Sequence, residues 1–222
     1  MNYGLLLLAG GFSRRFRSDK RLASINGKPM LLATLDVVQD ALEEFPGTTL
    51  KVVIRARDPL VEHLLAQRGV AVVHAPGWPI GIGASIAAGA AALLEGEPAL
   101  DVIAVVPADL PQLRPETLRE LLQQCWRDRL TVPACLGEPG ELVAIGADFF
   151  SLLPTLSVRH GLKKLLRRHA GAVRYQTVSD TSIIRSINSP ADFQAAIQLG
   201  PADRSPAIHH TEPHDSVAAH GE

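Results

Sequence analysis

The sequence predicts an α/β fold: a single three-layer domain on a doubly wound, mostly parallel sheet. Two observations carry that expectation. Short apolar runs rich in β-branched residues alternate with segments of helical period, which is the order of βαβ units. One run, Val102 to Val106, is apolar at every position, as a strand covered on both faces must be. The size agrees. A chain of 222 residues with 46% apolar and 20% charged residues can bury a core without disulfides or metals.

Taken in order, Leu5 to Ala9 is the first strand. Leu31, Leu35, Val38 and Leu42 recur at helical spacing. Lys51 to Ile54 is a second strand, Leu60 to Gln67 a helix, and Val70 to Val73 a third strand. The alanine-rich stretch Ala84 to Leu94 reads as a helix that leads into the strand Val102 to Val106. Leu118, Leu121, Leu122, Cys125 and Trp126 form one helical stripe. The second half is less regular. Leu142 to Ile145 and Val173 to Thr177 read as strands, with Leu162, Leu165 and Leu166 on one helix face between them. Ser189-Pro190-Ala191-Asp192 is a helix start, with Ser as cap and Pro in the first turn. That helix runs to about Leu199 and is stopped by Gly200-Pro201. Residues 201–222 have no hydrophobic period and carry four of the eight histidines, the composition of a disordered tail.

Charge and cysteine content narrow the function classes. With 22 basic and 23 acidic residues the net charge is -1, which argues against a bulk nucleic-acid binder. Two cysteines, Cys125 and Cys135, make neither a disulfide framework nor a zinc ribbon. The four leucines near the N-terminus lack a basic segment before them, so a signal peptide is not expected, and no uninterrupted apolar span suits a membrane. The expectation is a cytoplasmic protein with neither nucleic acid nor membrane as partner.

The most informative segment follows the first strand: Leu8-Ala9-Gly10-Gly11-Phe12-Ser13-Arg14-Arg15-Phe16-Arg17-Ser18-Asp19-Lys20. Paired glycines let backbone N–H groups approach a ligand, and a cluster of cations beside them suits a polyphosphate. It is neither G-x-x-x-x-G-K-[ST] nor G-x-G-x-x-G. Spacing alone leaves open a solvated basic loop with an incidental turn. Asp109, in Pro107-Ala108-Asp109-Leu110-Pro111 after the apolar strand, is placed to hold Mg²⁺ at the sheet's C-terminal edge, although aspartate beside proline is also a common turn former. The segment Gly81-Ile82-Gly83 before Ser85 hints at a dinucleotide site, but Ile86 stands where the third glycine belongs.

These segments together resemble the MobA-like nucleotidyltransferases. The loop at Leu8–Lys20 is similar to that family's signature loop, and Gly27-Lys28-Pro29-Met30-Leu31 to the stretch that follows it. Gly83-Ala84-Ser85-Ile86-Ala87-Ala88-Gly89 resembles its nucleotide-contacting helix start, Pro107–Pro111 its metal-binding turn, and Ser186–Phe193 its closing motif. The five lie in order over roughly residues 5 to 199, so residues 1–200 are expected to form the domain. The resemblance implies a nucleotide-diphospho-sugar transferase-like fold and transfer of NMP from CTP or GTP to a phosphate-bearing acceptor. Molybdopterin is the implied acceptor, Mg²⁺ the cofactor, and a molybdoenzyme or its chaperone the implied recipient. By the same resemblance Leu8, Ala9, Gly10, Gly11, Phe12, Lys20, Gly83, Ser85 and Asp109 bind nucleotide. Arg15, Lys20 and Asp109 would be catalytic, with Asp109 and Asn188 on the metal. Asn188 also suits a helix entry. Two departures stand out: Arg17 replaces a usual glycine, and Glu138-Pro139-Gly140-Glu141-Leu142 lacks the basic residue of the cytidylyl branch. A sugar- or polyol-phosphate nucleotidyltransferase of the same fold, or a non-catalytic cofactor-binding accessory protein, are the alternative readings.

Overall fold

A computed structural model describes residues 1–13, 15–16, 18–96 and 99–198. Arg17, the expected helix end at Leu199, and the tail 201–222 lie outside the described residues. The elements run β1 (Tyr3–Leu8), β2 (Ser24–Ile25), β3 (Lys28–Pro29), α1 (Met30–Leu42), β4 (Thr49–Ile54), α2 (Pro59–Ala66), β5 (Ala71–His74), α3 (Ile82–Leu94), β6 (Val102–Pro107), α4 (Pro115–Gln123), β7 (Leu130–Cys135), β8 (Glu138–Pro139), β9 (Val143–Gly146), α5 (Leu162–Arg168), β10 (Val173–Thr177) and α6 (Pro190–Gln198).

The main sheet has the order β10-β7-β9-β6-β1-β4-β5, with β8 paired to β7. β1 is central, parallel to β4 on one side and to β6 on the other. Antiparallel β9 joins β6 to β7, and β10 adds parallel to β7. The chain leaves β1 toward β4 and β5, then crosses behind to β6. That reversal opens a crevice at the carboxyl ends of β1 and β6, where open α/β sheets bind ligands.

Side-chain alternation builds the two faces. Leu5, Leu7, Val52, Ile54, Ala104 and Val106 point to the layer made by α1, α2 and α4. Leu6, Val53, Ile103 and Val105 point to the layer made by α3 and α5. β6 is therefore buried on both faces, as its uniform apolarity requires. Gly89 lets α3 lie close to the sheet, since a methyl there would sit 2.7 Å from Val53 Cγ2.

Two differences from the sequence reading have physical causes. The strand Leu130–Cys135 carries no clear sequence signal, because Pro133 interrupts a short run. Its carbonyl oxygen accepts from Gly140 N–H at 2.8 Å, so the turn into β9 is part of the same ladder. The helical stripe through Trp126 is also cut short: α4 ends at Gln123, Cys125 stays buried, and Trp126 is exposed with the Arg174 guanidinium 4.4 Å from its ring centroid. At α6 the expected cap is reciprocal. Ser189 Oγ accepts from Asp192 N–H at 3.2 Å, and the Asp192 carboxylate accepts from Ser189 N–H at 2.7 Å and Asn188 N–H at 2.9 Å.

Candidate active site

A cleft of about 840 Å³ opens at the carboxyl ends of β1, β4, β5 and β6. Leu8, Ala9, Gly10, Gly11 and Phe12 line one wall, the start of α3 another, and Asp109 and Asn188 the floor. Ala9 N–H is spent on Val53 O at 2.8 Å, so it is not free for a phosphate. Among the described residues, the N–H groups of Gly10, Gly11 and Phe12 have no partner. Gly10 faces α3 closely: a Cβ there would lie 3.3 Å from Ser85 Oγ. The loop thus combines unpaired donors, a glycine where space is short, and the N-terminal end of a thirteen-residue helix.

A buried arginine holds this loop. Arg21 is 2% exposed. Its Nη1 donates to Ala9 O at 2.7 Å and to Asp58 Oδ2 at 2.5 Å, while Nε donates to Asp19 Oδ1 at 2.8 Å. Arg55 Nη1 donates to the same Asp19 at 3.1 Å, its other nitrogen to Gly11 O, and its guanidinium stacks 4.8 Å from the Phe12 ring centroid. Burial pushes the Asp19 carboxyl up, but hydrogen bonds from Arg21 and the charges of Arg21 and Arg55 outweigh it and leave the group below its ordinary range. A third fastening comes from behind. Phe16 packs edge-on against Phe193 of α6, in a small cluster with Ile25, Met30 and Ile187.

The floor of the cleft is built by β6 and the segment before α6. Ala108 N–H reaches Leu8 O at 3.1 Å and Ile187 N–H reaches Asp109 O at 3.0 Å, so Asp109 is fixed between β1 and the closing segment. Lys20 Nζ donates to Asp109 Oδ2 at 2.5 Å, Ile187 O at 2.8 Å and Asn188 Oδ1 at 3.3 Å. Asp109 Oδ1 is buried without a partner among the described residues. An orphaned carboxylate oxygen beside an amide oxygen is the hard-oxygen donor set that Mg²⁺ takes, with waters completing the shell. The residues present therefore fit a divalent cation. Among the described residues, no three His, Cys, Asp or Glu side chains gather, so its protein ligands would be few.

Ten of the eleven residues singled out in the sequence line this one cleft: Leu8, Ala9, Gly10, Gly11, Phe12, Arg15, Lys20, Ser85, Asp109 and Asn188. Gly83 does not. Its N–H donates to Val158 O at 3.1 Å, and a methyl in its place would run into Ser157 O, so its smallness serves packing of the 157–161 loop on α3. Arg15 is exposed, and its charge helps hold the Asp192 carboxyl low, behind the larger effect of the Asn188 N–H bond. Sequence reasoning missed Arg21, Arg55, Arg57 and Glu141, which also line the cleft. The signal for Arg55 and Arg57 was available: they follow β4, which ends at the same sheet edge as the glycine loop. Among the described residues, no helix is long and apolar enough to cross a membrane.

The model of the MobA-like NTP transferase domain matches residues 5–173. No curated protein sequence matches significantly. Among solved structures, Rv0371c from Mycobacterium tuberculosis H37Rv superposes with a TM-score of 0.73 at 23% identity, covering 89% of this chain and 97% of that one. The same protein is known in complex with manganese. A nucleotidyl transferase from Methanothermobacter gives a TM-score of 0.74 at 21% identity, covering 88% of this chain and 96% of that one. The molybdopterin-guanine dinucleotide biosynthesis protein A of Archaeoglobus fulgidus gives 0.59 at 19% identity, with 90% and 98% covered. At these identities the likeness is one of fold.

Proposed function

The chain belongs to the MobA-like NTP transferase family, and from that premise we propose that it moves NMP from CTP or GTP to the terminal phosphate of molybdopterin, in molybdenum cofactor maturation. The observation that carries this reading is the closure of two strand ends on one cleft: unpaired N–H donors of the loop after β1 face the Asp109–Lys20–Asn188 floor after β6. Nucleotidyl transfer needs both halves, a cradle for the triphosphate and charge compensation where the α–β bridge breaks. The printed names of the MobA-like family and of the Archaeoglobus neighbour support the acceptor.

In this reading an acceptor phosphate oxygen attacks the α-phosphorus, a new P–O bond forms, and pyrophosphate leaves with the electrons of the broken bridge. Gly10, Gly11 and Phe12 N–H groups hold phosphate oxygens, and Arg15, Arg55 and Arg57 make the surrounding field positive. Lys20 carries the cation nearest the floor. Its bond to Asn188 is the longest of its three, and exchanging that bond for a phosphate oxygen would place its charge on the leaving group. Asp109 Oδ1 and Asn188 Oδ1 would hold Mg²⁺, which when bound neutralises phosphate charge and orients the α-phosphate. The manganese complex of the mycobacterial neighbour supports a divalent cation in this fold. Both cysteines are buried free thiols, in keeping with a cytoplasmic setting, and a molybdoenzyme or its chaperone would take the product.

A pyrophosphate-release assay over GTP, CTP and UTP, with and without molybdopterin, tests the proposal. Release that needs molybdopterin and one preferred NTP is expected. Release with a sugar or polyol phosphate instead would move the acceptor class, and nucleotide binding with no release under any acceptor would leave a binding protein.

A further inference from the structure

Glu141 is the one acidic residue lining the cleft that pairs with no cation among the described residues. The other acid, Asp109, is joined to Lys20, and the four further charges lining the walls, Arg15, Arg21, Arg55 and Arg57, are all basic. A carboxylate in a cleft built for phosphates repels the principal ligand unless it serves a different part of the substrate. Its placement separates it from the phosphate cradle. Glu141 stands just before β9, on the far side of β6 from the glycine loop, and its N–H donates to Ile183 O at 3.1 Å. The preceding Gly140 packs on Ile183 so closely that a Cβ would lie 3.0 Å from it, which fixes the backbone there.

The carboxylate is also oriented. Lys20 donates to Asn188 Oδ1, Asn188 Nδ2 donates to Ser186 Oγ at 2.7 Å, and Ser186 donates to Glu141 Oε1 at 2.7 Å. All three bonds point the same way, toward Glu141, whose Oε2 has no partner among the described residues. Such a chain polarises toward its acceptor end. Its terminus accepts hydrogen bonds and offers none.

We infer that Glu141 binds a pair of adjacent hydrogen-bond donors on the neutral, non-phosphate part of the acceptor. The inference rests on the nucleotidyl-transfer reading of the cleft. Two chemistries present such a pair: the N–H/NH₂ edge of a 2-amino-4-oxo heterocycle and a vicinal diol. Either bonds a carboxylate through both oxygens, and each charged bond of this kind is strong when water is excluded.

The test uses the full chain with Mg²⁺ and a saturating α,β-non-hydrolysable CTP or GTP analogue, so that the nucleotide half of the cleft is filled. Calorimetric titrations then compare pterin with lumazine, which has a carbonyl in place of the 2-amino group, and erythritol as the diol. Pterin binding at least about tenfold tighter than lumazine, with that preference lost in Glu141→Gln, supports the inference with a heterocyclic source. Erythritol binding lost in Glu141→Gln supports it with a diol source. Ser186→Ala, which frees the carboxylate from its tether, should weaken the responding probe several-fold while melting at the wild-type temperature. If no probe distinguishes wild type from Glu141→Gln while the analogue binds, the inference is overturned and the nucleotidyl-transfer reading stands. If the analogue itself does not bind, that reading fails and the inference falls with it.

Discussion

Lys20 Nζ lies 2.5 Å from Asp109 Oδ2, joining two residues 89 positions apart across the floor of the cleft. One belongs to the loop after the central strand, the other to the turn after its neighbour. The parallel pairing of β1 and β6, with Leu8 opposite Pro107, sets the two strand ends side by side; the ion pair ties the loop to that edge, so the residue suited to a metal is also a structural anchor. The side chains are 11% and 17% exposed, so most of the attraction is unscreened.

Asp109→Asn should therefore have two consequences. The sequence alone leads to an expectation of lost Mg²⁺-dependent nucleotide binding with thermal stability nearly unchanged. The ion pair alters the second half: removing the charge leaves a nearly buried ammonium with only Ile187 O and Asn188 as acceptors. A loss of about 1–3 kcal/mol is expected, read from urea unfolding, together with loss of Mg²⁺-dependent NTP affinity by titration. Full Mg²⁺-dependent turnover in the variant would remove Asp109 from the metal.

Gly83→Ala separates packing from ligand contact. A methyl at this position meets the backbone of Ser157, which cannot rotate away as a side chain can. Overpacking of this kind typically costs about 1–3 kcal/mol. The variant should melt lower, and nucleotide affinity should fall only as far as the shifted α3 carries Ser85 with it. A variant with wild-type stability and sharply reduced nucleotide affinity would return Gly83 to the nucleotide site.

The glycine pair and Asp109 could be read from sequence because they depend on local chemistry: strand, sharp turn, ligand-facing group. β1 and β6 were legible for the same reason, being apolar at consecutive positions. Arg21 was not legible. It follows the basic loop directly, and only the fold reveals that Asp58, the residue before α2, closes on it and takes it out of solvent. Glu141 was not legible either: the stretch Glu138–Leu142 stood out only for lacking a basic residue, and the tether of Glu141 through Ser186 and Asn188 exists only once α6 docks on Phe16. At Gly83 a family motif and a steric requirement fall on the same residue, and only the fold shows the second.

Arg21→Met should be the most destabilising single change in the loop. It strands Asp58, which is buried, and leaves Asp19 with Arg55 alone. Breaking such a pair from one side costs about 3–5 kcal/mol. The effect has a pH signature. Asp19 has a depressed folded value, so its stabilisation is complete above the unfolded carboxylate value of about 3.9 and is lost as pH falls through the folded one. Asp36, lowered by Lys28 and Arg68 against burial, behaves alike in both proteins. Urea midpoints measured from pH 6 down to pH 2 should thus show the gap between wild type and Arg21→Met narrowing below about pH 4. A gap that stays constant into acid would mean that Arg21 contributes packing rather than charge.

Lys20 decides between anchoring and catalysis. Three acceptors hold its ammonium, which is the environment of a structural cation, yet it lines the cleft beside unpaired N–H donors. If its role is to compensate charge on departing pyrophosphate, its contribution grows as the bridge breaks and is greater in the transition state than in bound NTP. Lys20→Ala should then lower kcat by on the order of 10²-fold or more with little change in KM. A residue that only holds the triphosphate would raise KM with kcat intact. A residue that only orients Asp109 and Asn188 would weaken Mg²⁺ affinity, and raising Mg²⁺ would restore kcat. Steady-state kinetics at two Mg²⁺ concentrations, with circular dichroism to confirm the fold, separates these outcomes. A kcat that recovers fully at high Mg²⁺ would make Lys20 a positioning residue and leave the leaving-group charge to Arg15 and the cation.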